Sequence, residues 1–194
     1  MVQRKSEKPA LLVIDMVKDN FDETRNLPIT PLAKAVIPAI NRMSDSFRQH
    51  NWPVVFPTDA FHEDDFFFTE RMHPHSLAGT PGAEIVTDLT YLPTDYWMPK
   101  PGMSAFFKTE LETWLSNRQI TLCALAGIAT NFCVLTSAMD ALSHNFKVVI
   151  LEDCCAAATE VIHQKTLSLY RKPPLFPLLR VMPSTDFLSG LKIR

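Results

Sequence analysis

ALLVID, residues 10–15, is a run of five apolar residues that stops at an acid. A segment this short and uniformly apolar suits a strand buried on both faces of a parallel sheet, and a carboxylate at its end marks the polar rim of that sheet. Similar runs recur outward from it: WPVVFPT at 52–58, ITLCALA at 120–126, FKVVIL at 146–151 and LLRVM at 178–182, with Tyr96–Met98 a weaker sixth. Between them, Leu32, Val36, Ile40, Met43 and Phe47 keep to one face and predict a helix over 31–49. Further helices are expected at Thr109–Asn117, Asn131–His144 and Thr159–Leu169, and a short helix with a tail over Ser184–Arg194. Alternating strands and helices with short links mean right-handed βαβ crossovers. The expectation is an α/β fold whose functional groups gather at the carboxyl ends of its parallel strands.

Length and composition agree with one domain spanning 1–194. The chain has 194 residues, 46% of them hydrophobic and 21% charged, which is enough to bury one substantial core. A net charge of −2 without long runs of either sign gives no footprint for nucleic acid or an anionic membrane, so a small-molecule partner is expected. No stretch approaches a membrane span, and Ala10–Ile14 is too short for a signal-peptide core. Four cysteines, at 123, 133, 154 and 155, are too few and too oddly spaced for a disulfide scaffold or a zinc pair, and a cytoplasmic location follows as the expectation. Asp59–Pro93 lacks a long period of either kind, which in a chain of this size marks a functional loop.

Three residues combine into a possible reactive centre. Cys133 follows a predicted strand and sits in the first turn of a predicted helix, where free N–H groups and the positive dipole end favour a thiolate and can hold an oxyanion. Asp15 ends the first strand and could accept the thiol proton. Lys100, in MPKPGMSAF, follows the weak strand at 96–98 and offers a cation to the thiolate. Each alone reads equally well as a small buried residue, a turn cap or an exposed lysine. Their common placement after strands favours chemistry. Cys123 lies within an apolar strand and reads as core, whereas Cys154 and Cys155 follow the strand at 146–151.

The motifs resemble those of the isochorismatase-like cysteine hydrolases, a family that includes nicotinamidases and N-carbamoylsarcosine amidases. LLVIDMVKDNF, at 11–21, looks like the family's first strand with its aspartate, Asp15. KPGMSAF, at 100–106, looks like its lysine motif, with Lys100, Ser104 and Phe106 in place. GIATNFCV, at 127–134, is similar to the nicotinamidase-type GIATDHCV and identifies Cys133 as the nucleophile. The resemblance covers about residues 9–185. It implies a three-layer α/β/α fold with an open six-stranded parallel sheet in the order 3-2-1-4-5-6, a cis peptide at Ile128–Ala129, and an oxyanion hole formed by the N–H groups of Ala129 and Cys133. It also implies a homo-oligomer, and hydrolysis of a small amide or carbamoyl compound through a thioester. Nicotinamidase activity, isochorismate-type vinyl-ether hydrolysis and a non-catalytic binding role are the alternatives.

Two departures bear on the substrate. Nicotinamidases carry D-x-H and a later histidine as metal ligands. Here Asp59 and His75, the latter in HSLAGTPGAEI, match the outer positions, but Phe61 stands at the middle one, so no cofactor is expected and a divalent metal at Asp59 and His75 is only the weaker alternative. Asn20 stands where the family often has an aromatic, with Phe21 displaced by one. Phe21, Phe106 and Phe66, the last in a run of three phenylalanines, are the candidates to line a substrate pocket.

Overall fold

In the computed structural model, which describes residues 7–172 and 174–192, six parallel strands form one sheet in the order β3-β2-β1-β4-β5-β6. They are β1 (Pro9–Ile14), β2 (Val54–Asp59), β3 (Tyr96–Lys100), β4 (Leu122–Ile128), β5 (Lys147–Ala156) and β6 (Leu179–Met182). Five helices accompany them: α1 (Thr30–Gln49), α2 (Leu111–Asn117), α3 (Leu135–Ser143), α4 (Glu160–Tyr170) and α5 (Ser184–Lys192). Residues 193–194 of the expected tail lie outside the described residues.

The alternation of side chains along β1 divides the core in two. Leu11 and Val13 face the layer of α1 and α5, where they join Ile37, Ile40, Met43, Phe47 and Phe187. Ala10, Leu12 and Ile14 face the layer of α2, α3 and α4, with Leu111, Leu115, Ala138, Ala141 and Leu167. A strand used on both sides must be apolar at every position. That is why ALLVI shows no alternation of its own. α1 stays continuous through Pro38, which cannot donate to the Lys34 carbonyl, because its buried stripe from Ala33 to Phe47 is held against the sheet.

β5 is longer than its apolar run suggested. The β4–β5 register shifts between Leu125 and Gly127, and beyond the shift Gly127 pairs with Cys155 and Ile128 with Ala156. Cys154 and Cys155 are therefore buried strand residues, with the Cys155 thiol directed to the Leu125 carbonyl at 3.6 Å. Pro57 in β2 has no N–H to offer β1. The β1–β2 register accordingly runs only from Leu11 and Val54 to Leu12 and Val55, while the Pro57 carbonyl still accepts the Asp15 N–H at 2.9 Å.

The segment after β2 is irregular but anchored. Phe61 pairs with Leu77, giving its N–H to the Ser76 carbonyl at 3.0 Å and accepting the Ala78 N–H at 2.8 Å. Val17 pairs antiparallel with Ile85, and the Asp19 carboxylate takes the Ser76 N–H at 2.6 Å. These contacts fold the loop back over the carboxyl edge of the sheet.

Gly127 marks the tightest approach in the sheet. Its φ is +106°, and a Cβ there would lie 2.1 Å from the Ile14 carbonyl oxygen of the neighbouring strand. Gly127→Ala should destabilise the fold by at least about 3 kcal/mol, because left-handed strain adds to a backbone overlap that neither strand can relieve. Urea unfolding measures this directly, and a loss below about 1 kcal/mol would mean that the two strands separate freely.

Candidate active site

Three adjacent strands end in Asp15, Asp59 and Lys100. Parallel register sets Asp59 directly opposite Lys100, and β1 lies on the other side of β2, so topology alone gathers two acids and a base at one edge. Lys100 is completely buried. Its ammonium bonds the Asp59 carboxylate, donates to the Gly102 carbonyl at 2.8 Å and lies 3.0 Å from Asp15 Oδ2. Asp15 Oδ1 accepts the Asp59 N–H at 2.8 Å. Asp15 also holds a φ of +54°, a left-handed conformation that aspartate tolerates better than most side chains and that places its carboxylate just beyond the strand end.

The fourth member arrives from β4. After Ile128 the peptide to Ala129 is cis, and Thr130–Val134 form one wide π-helical turn ahead of α3, with the Ala129 carbonyl accepting from Phe132 at 2.9 Å and from Val134 at 3.2 Å. This turn carries Cys133, whose sulfur lies with carboxylate oxygens of Asp15 and Asp59 within 4.8 Å of one another. The turn is tied to α4 by a buried bond between the Thr130 hydroxyl and His163 Nδ1 at 2.8 Å. No periodicity in the sequence pointed to that contact.

Burial sets the protonation of the cluster. It drives the Asp15 carboxyl up to about 7, reinforced by the Asp59 charge and opposed by Lys100. For Lys100 burial alone would favour the neutral amine, but Asp15 and Asp59 more than offset it and hold the ammonium above its ordinary range. Burial, with Asp15 next to it, keeps the Cys133 thiol well above its usual value, and Lys100 offsets this only in part. Desolvation and the neighbouring carboxylate thus outweigh the helix start and the lysine at this position.

One cavity of about 170 Å³ opens onto this cluster. Asp15, Asp59, Cys133, Ile128 and Ala129 line it together with Asn20, Ile29, Phe61, Phe67, Met72, His75, Met103 and Phe132. The proposed substrate-binding residues Phe21, Phe106 and Phe66 are not among them. Phe21 turns into the α1 side of the core and leaves the preceding Asn20 at the cavity. Phe106 stacks on Phe146 and His144 in the opposite layer. Phe66 is 83% exposed, because consecutive residues of the tight turn Phe66–Phe68 point in different directions and Phe67 takes the inward one. Phe132, beside Cys133 in the same turn, was open to prediction from adjacency. Phe61 reaches the cavity through the loop pairing.

A divalent metal at Asp59 and His75, the weaker alternative, would find an incomplete set of donors there. Asp59 is committed to Lys100, and Phe61 at the middle ligand position supplies no donor atom. His75 Nδ1 faces the His73 carbonyl at 3.0 Å, and its ring packs against Phe61 and Phe68 at centroid distances of 5.6 Å each. Among the described residues the one group of three potential ligands is Asp15, Asp59 and Cys133, and two of these already share the Lys100 ammonium. A divalent cation there would sit against a fixed positive charge.

An open parallel sheet in this order, with a thiol, two carboxylates and a buried ammonium at its carboxyl edge, defines an isochorismatase-like α/β hydrolase fold. Residues 9–176 match the Isochorismatase domain model, and the chain belongs to the isochorismatase family of hydrolases. It is similar to an isochorismatase-like hydrolase from Alkaliphilus metalliredigens, with 28% identity, a TM-score of 0.82, and 94% of this chain and 98% of that one covered. It is also similar to N-carbamoylsarcosine amidase from Thermoplasma acidophilum, with 29% identity, a TM-score of 0.76, and coverage of 91% and 96%. A third likeness is to the pyrazinamidase of Pyrococcus horikoshii in complex with zinc, with 26% identity, a TM-score of 0.77, and coverage of 91% and 99%. No described helix is long and apolar enough to cross a membrane.

Replacing Lys100 by Met keeps the volume and removes the charge. Asp15 and Asp59 would then face each other in the interior, and Lys100→Met should cost about 3–5 kcal/mol near pH 8. Asp15, already raised by burial, would lose a charge that opposes the rise, so the folded state would bind more protons and the deficit should shrink as pH falls. Denaturant unfolding at about pH 5 and about pH 8 checks the sign, and a deficit that grows in acid would contradict it.

Proposed function

We propose that the chain is a metal-independent cysteine amidohydrolase that cleaves the C–N bond of a small amide or carbamoyl compound through a thioester on Cys133. The observation that carries this reading is the placement of Asp15 and Cys133 on the wall of one cavity, with the Lys100 ammonium buried behind them 3.0 Å from Asp15. Asp15, with its carboxyl raised to about 7, is poised to take the thiol proton as sulfur attacks, since a base works best when its pKa lies near the working pH. The N–H groups of Ala129 and Cys133 are the donors for the resulting oxyanion. The C–N bond then breaks, and Asp15 returns the proton to the departing nitrogen. Water, deprotonated by Asp15, attacks the thioester, and the thiol is restored as the acid leaves.

Lys100 is too enclosed to reach substrate. Its role is to keep two buried carboxylates in place and to hold Asp15 within the range where it can exchange a proton. A cysteine directed at the cavity favours this chemistry over vinyl-ether hydrolysis, which has no use for a nucleophilic thiol.

Ammonia release from small amides, ureides and carbamoyl compounds tests the reading. Activity should survive chelation, and Cys133→Ala should lower kcat by at least about 10³-fold while the protein still folds. Rapid quenching and mass spectrometry should reveal an acyl adduct on Cys133, and substantial turnover by Cys133→Ala would refute the covalent route. A separate signature lies in pH. With Asp15 as the base, kcat/KM should fall by about tenfold per pH unit below about 7 and level off above it. An acidic limb centred near the ordinary carboxylate value would show that a different group is the base.

A further inference from the structure

The turn that carries Cys133 is closed on itself. Its backbone bonds run from Phe132 and Val134 to the Ala129 carbonyl, which sets the width of the turn but not its tilt against the sheet. Tilt matters because the N–H groups assigned to the oxyanion, those of Ala129 and Cys133, lie on either side of Thr130 in the chain. The Thr130 hydroxyl is hydrogen-bonded to His163 Nδ1 at 2.8 Å, and both residues are buried.

His163 occupies a place where packing alone would be served by hydrocarbon. α4 turns His163 and Leu167 fully inward, one helical turn apart. The start of that helix is held by Thr159, whose side chain accepts the Ile162 N–H at 3.2 Å and whose carbonyl accepts the His163 N–H at 3.0 Å. The imidazole is therefore presented to the turn from an anchored helix end. Burial holds its pKa below the ordinary histidine value, so the ring is neutral and brings no charge to the cluster. Neither His163 nor Thr130 lines the cavity. What the pair can contribute is position. Two buried polar groups that merely satisfied each other could be replaced together by apolar groups of the same shape at little cost.

We propose that His163 is a positioning residue for the oxyanion hole: its ring, through the Thr130 hydroxyl, sets the turn so that the Ala129 and Cys133 N–H groups meet the developing oxyanion. This rests on the amidohydrolase reading above and adds to it a residue of another helix that touches no reacting atom.

Attack on a carbonyl needs those donors, and attack on an alkyl halide does not. Two reagents therefore separate the hole from the thiol. p-Nitrophenyl acetate acylates Cys133 through a tetrahedral oxyanion with release of p-nitrophenolate, whereas iodoacetamide alkylates the same sulfur by direct displacement of iodide. Both rates are followed by mass spectrometry of the Cys133 peptide in the unaltered protein, Thr130→Val, His163→Phe, the double variant and Thr130→Ser, with urea unfolding as the check that each is folded. Thr130→Val and His163→Phe should each slow acylation at least about tenfold and leave alkylation within about twofold. The double variant should be no slower than the slower single one, since either change already removes the contact. Thr130→Ser keeps the hydroxyl and should bring acylation back to within about threefold of the unaltered protein. His163→Phe, which keeps a ring of similar volume, carries the test if Thr130→Val does not fold. Acylation unchanged by the single variants, or acylation and alkylation falling by the same factor, would overturn the positioning role and leave the amidohydrolase reading intact. Cys133 that is alkylated but never acylated in the unaltered protein would overturn the thioester reading and the proposal with it.

Discussion

The ammonium of Lys100, held between the carboxylates of Asp15 and Asp59, is the contact on which the carboxyl edge of the sheet depends. Three neighbouring strands end in charged groups that are buried, and moving any one of them from water costs several kcal/mol unless an opposite charge and hydrogen bonds replace the lost hydration. Lys100 meets that requirement for both acids, and the Gly102 carbonyl and the Asp59 N–H complete the set. The arrangement carries one more negative than positive charge when both acids are ionised. Burial, together with this excess, lifts Asp15 toward neutrality, so the ion pair and the raised carboxyl are consequences of the same three side chains.

Backbone geometry brings the fourth group to the cluster. Gly127 allows β4 to press against Ile14, the residue immediately before Asp15, at a distance that any Cβ would block. The close approach brings the end of β4 beside the end of β1, and the wide turn that follows projects Cys133 toward Asp15. α3 then runs back along the face of the sheet, with Ala138 and Ala141 packed against Leu12, Leu125 and Val148. Position is thus set by β4 and β1, while the π-helical turn absorbs the mismatch between the strand end and the helix start.

The strands, and the placement of Asp15, Lys100 and Cys133 at strand ends, were legible in the sequence because both are written locally. An apolar run ending in Asp15 carries its own boundary, and so does KPGMSAF with its flanking prolines and glycine. The extension of β5 through Cys154 and Cys155 was not legible, because it depends on a register shift against β4 that no local pattern encodes. Asp59 was singled out as a metal candidate although its position opposite Lys100 follows from strand register, a relation that appears only once the strand order is known. The pocket aromatics were the least readable part. Three consecutive phenylalanines say that aromatics are near, but whether Phe66 or Phe67 faces inward depends on the phase of a three-residue turn. Phe61 depends on a single pairing with Leu77, which is remote in sequence and carries no periodic signal.

That division between strand ends and loop has a consequence for how specificity is built. The cluster of Asp15, Asp59, Lys100 and Cys133 is fixed by strands whose side chains are committed to two core layers, so little can change there without loss of the fold. Much of the apolar wall is supplied by the segment after β2, anchored through backbone bonds at Phe61, Ser76 and Ala78 that do not depend on which side chains those positions carry. A phenylalanine at position 61 therefore leaves the loop in place while replacing an imidazole donor with an apolar surface. Compared with the histidine that the resemblance puts at this position, it offers no donor atom and adds an aromatic ring to the cavity wall.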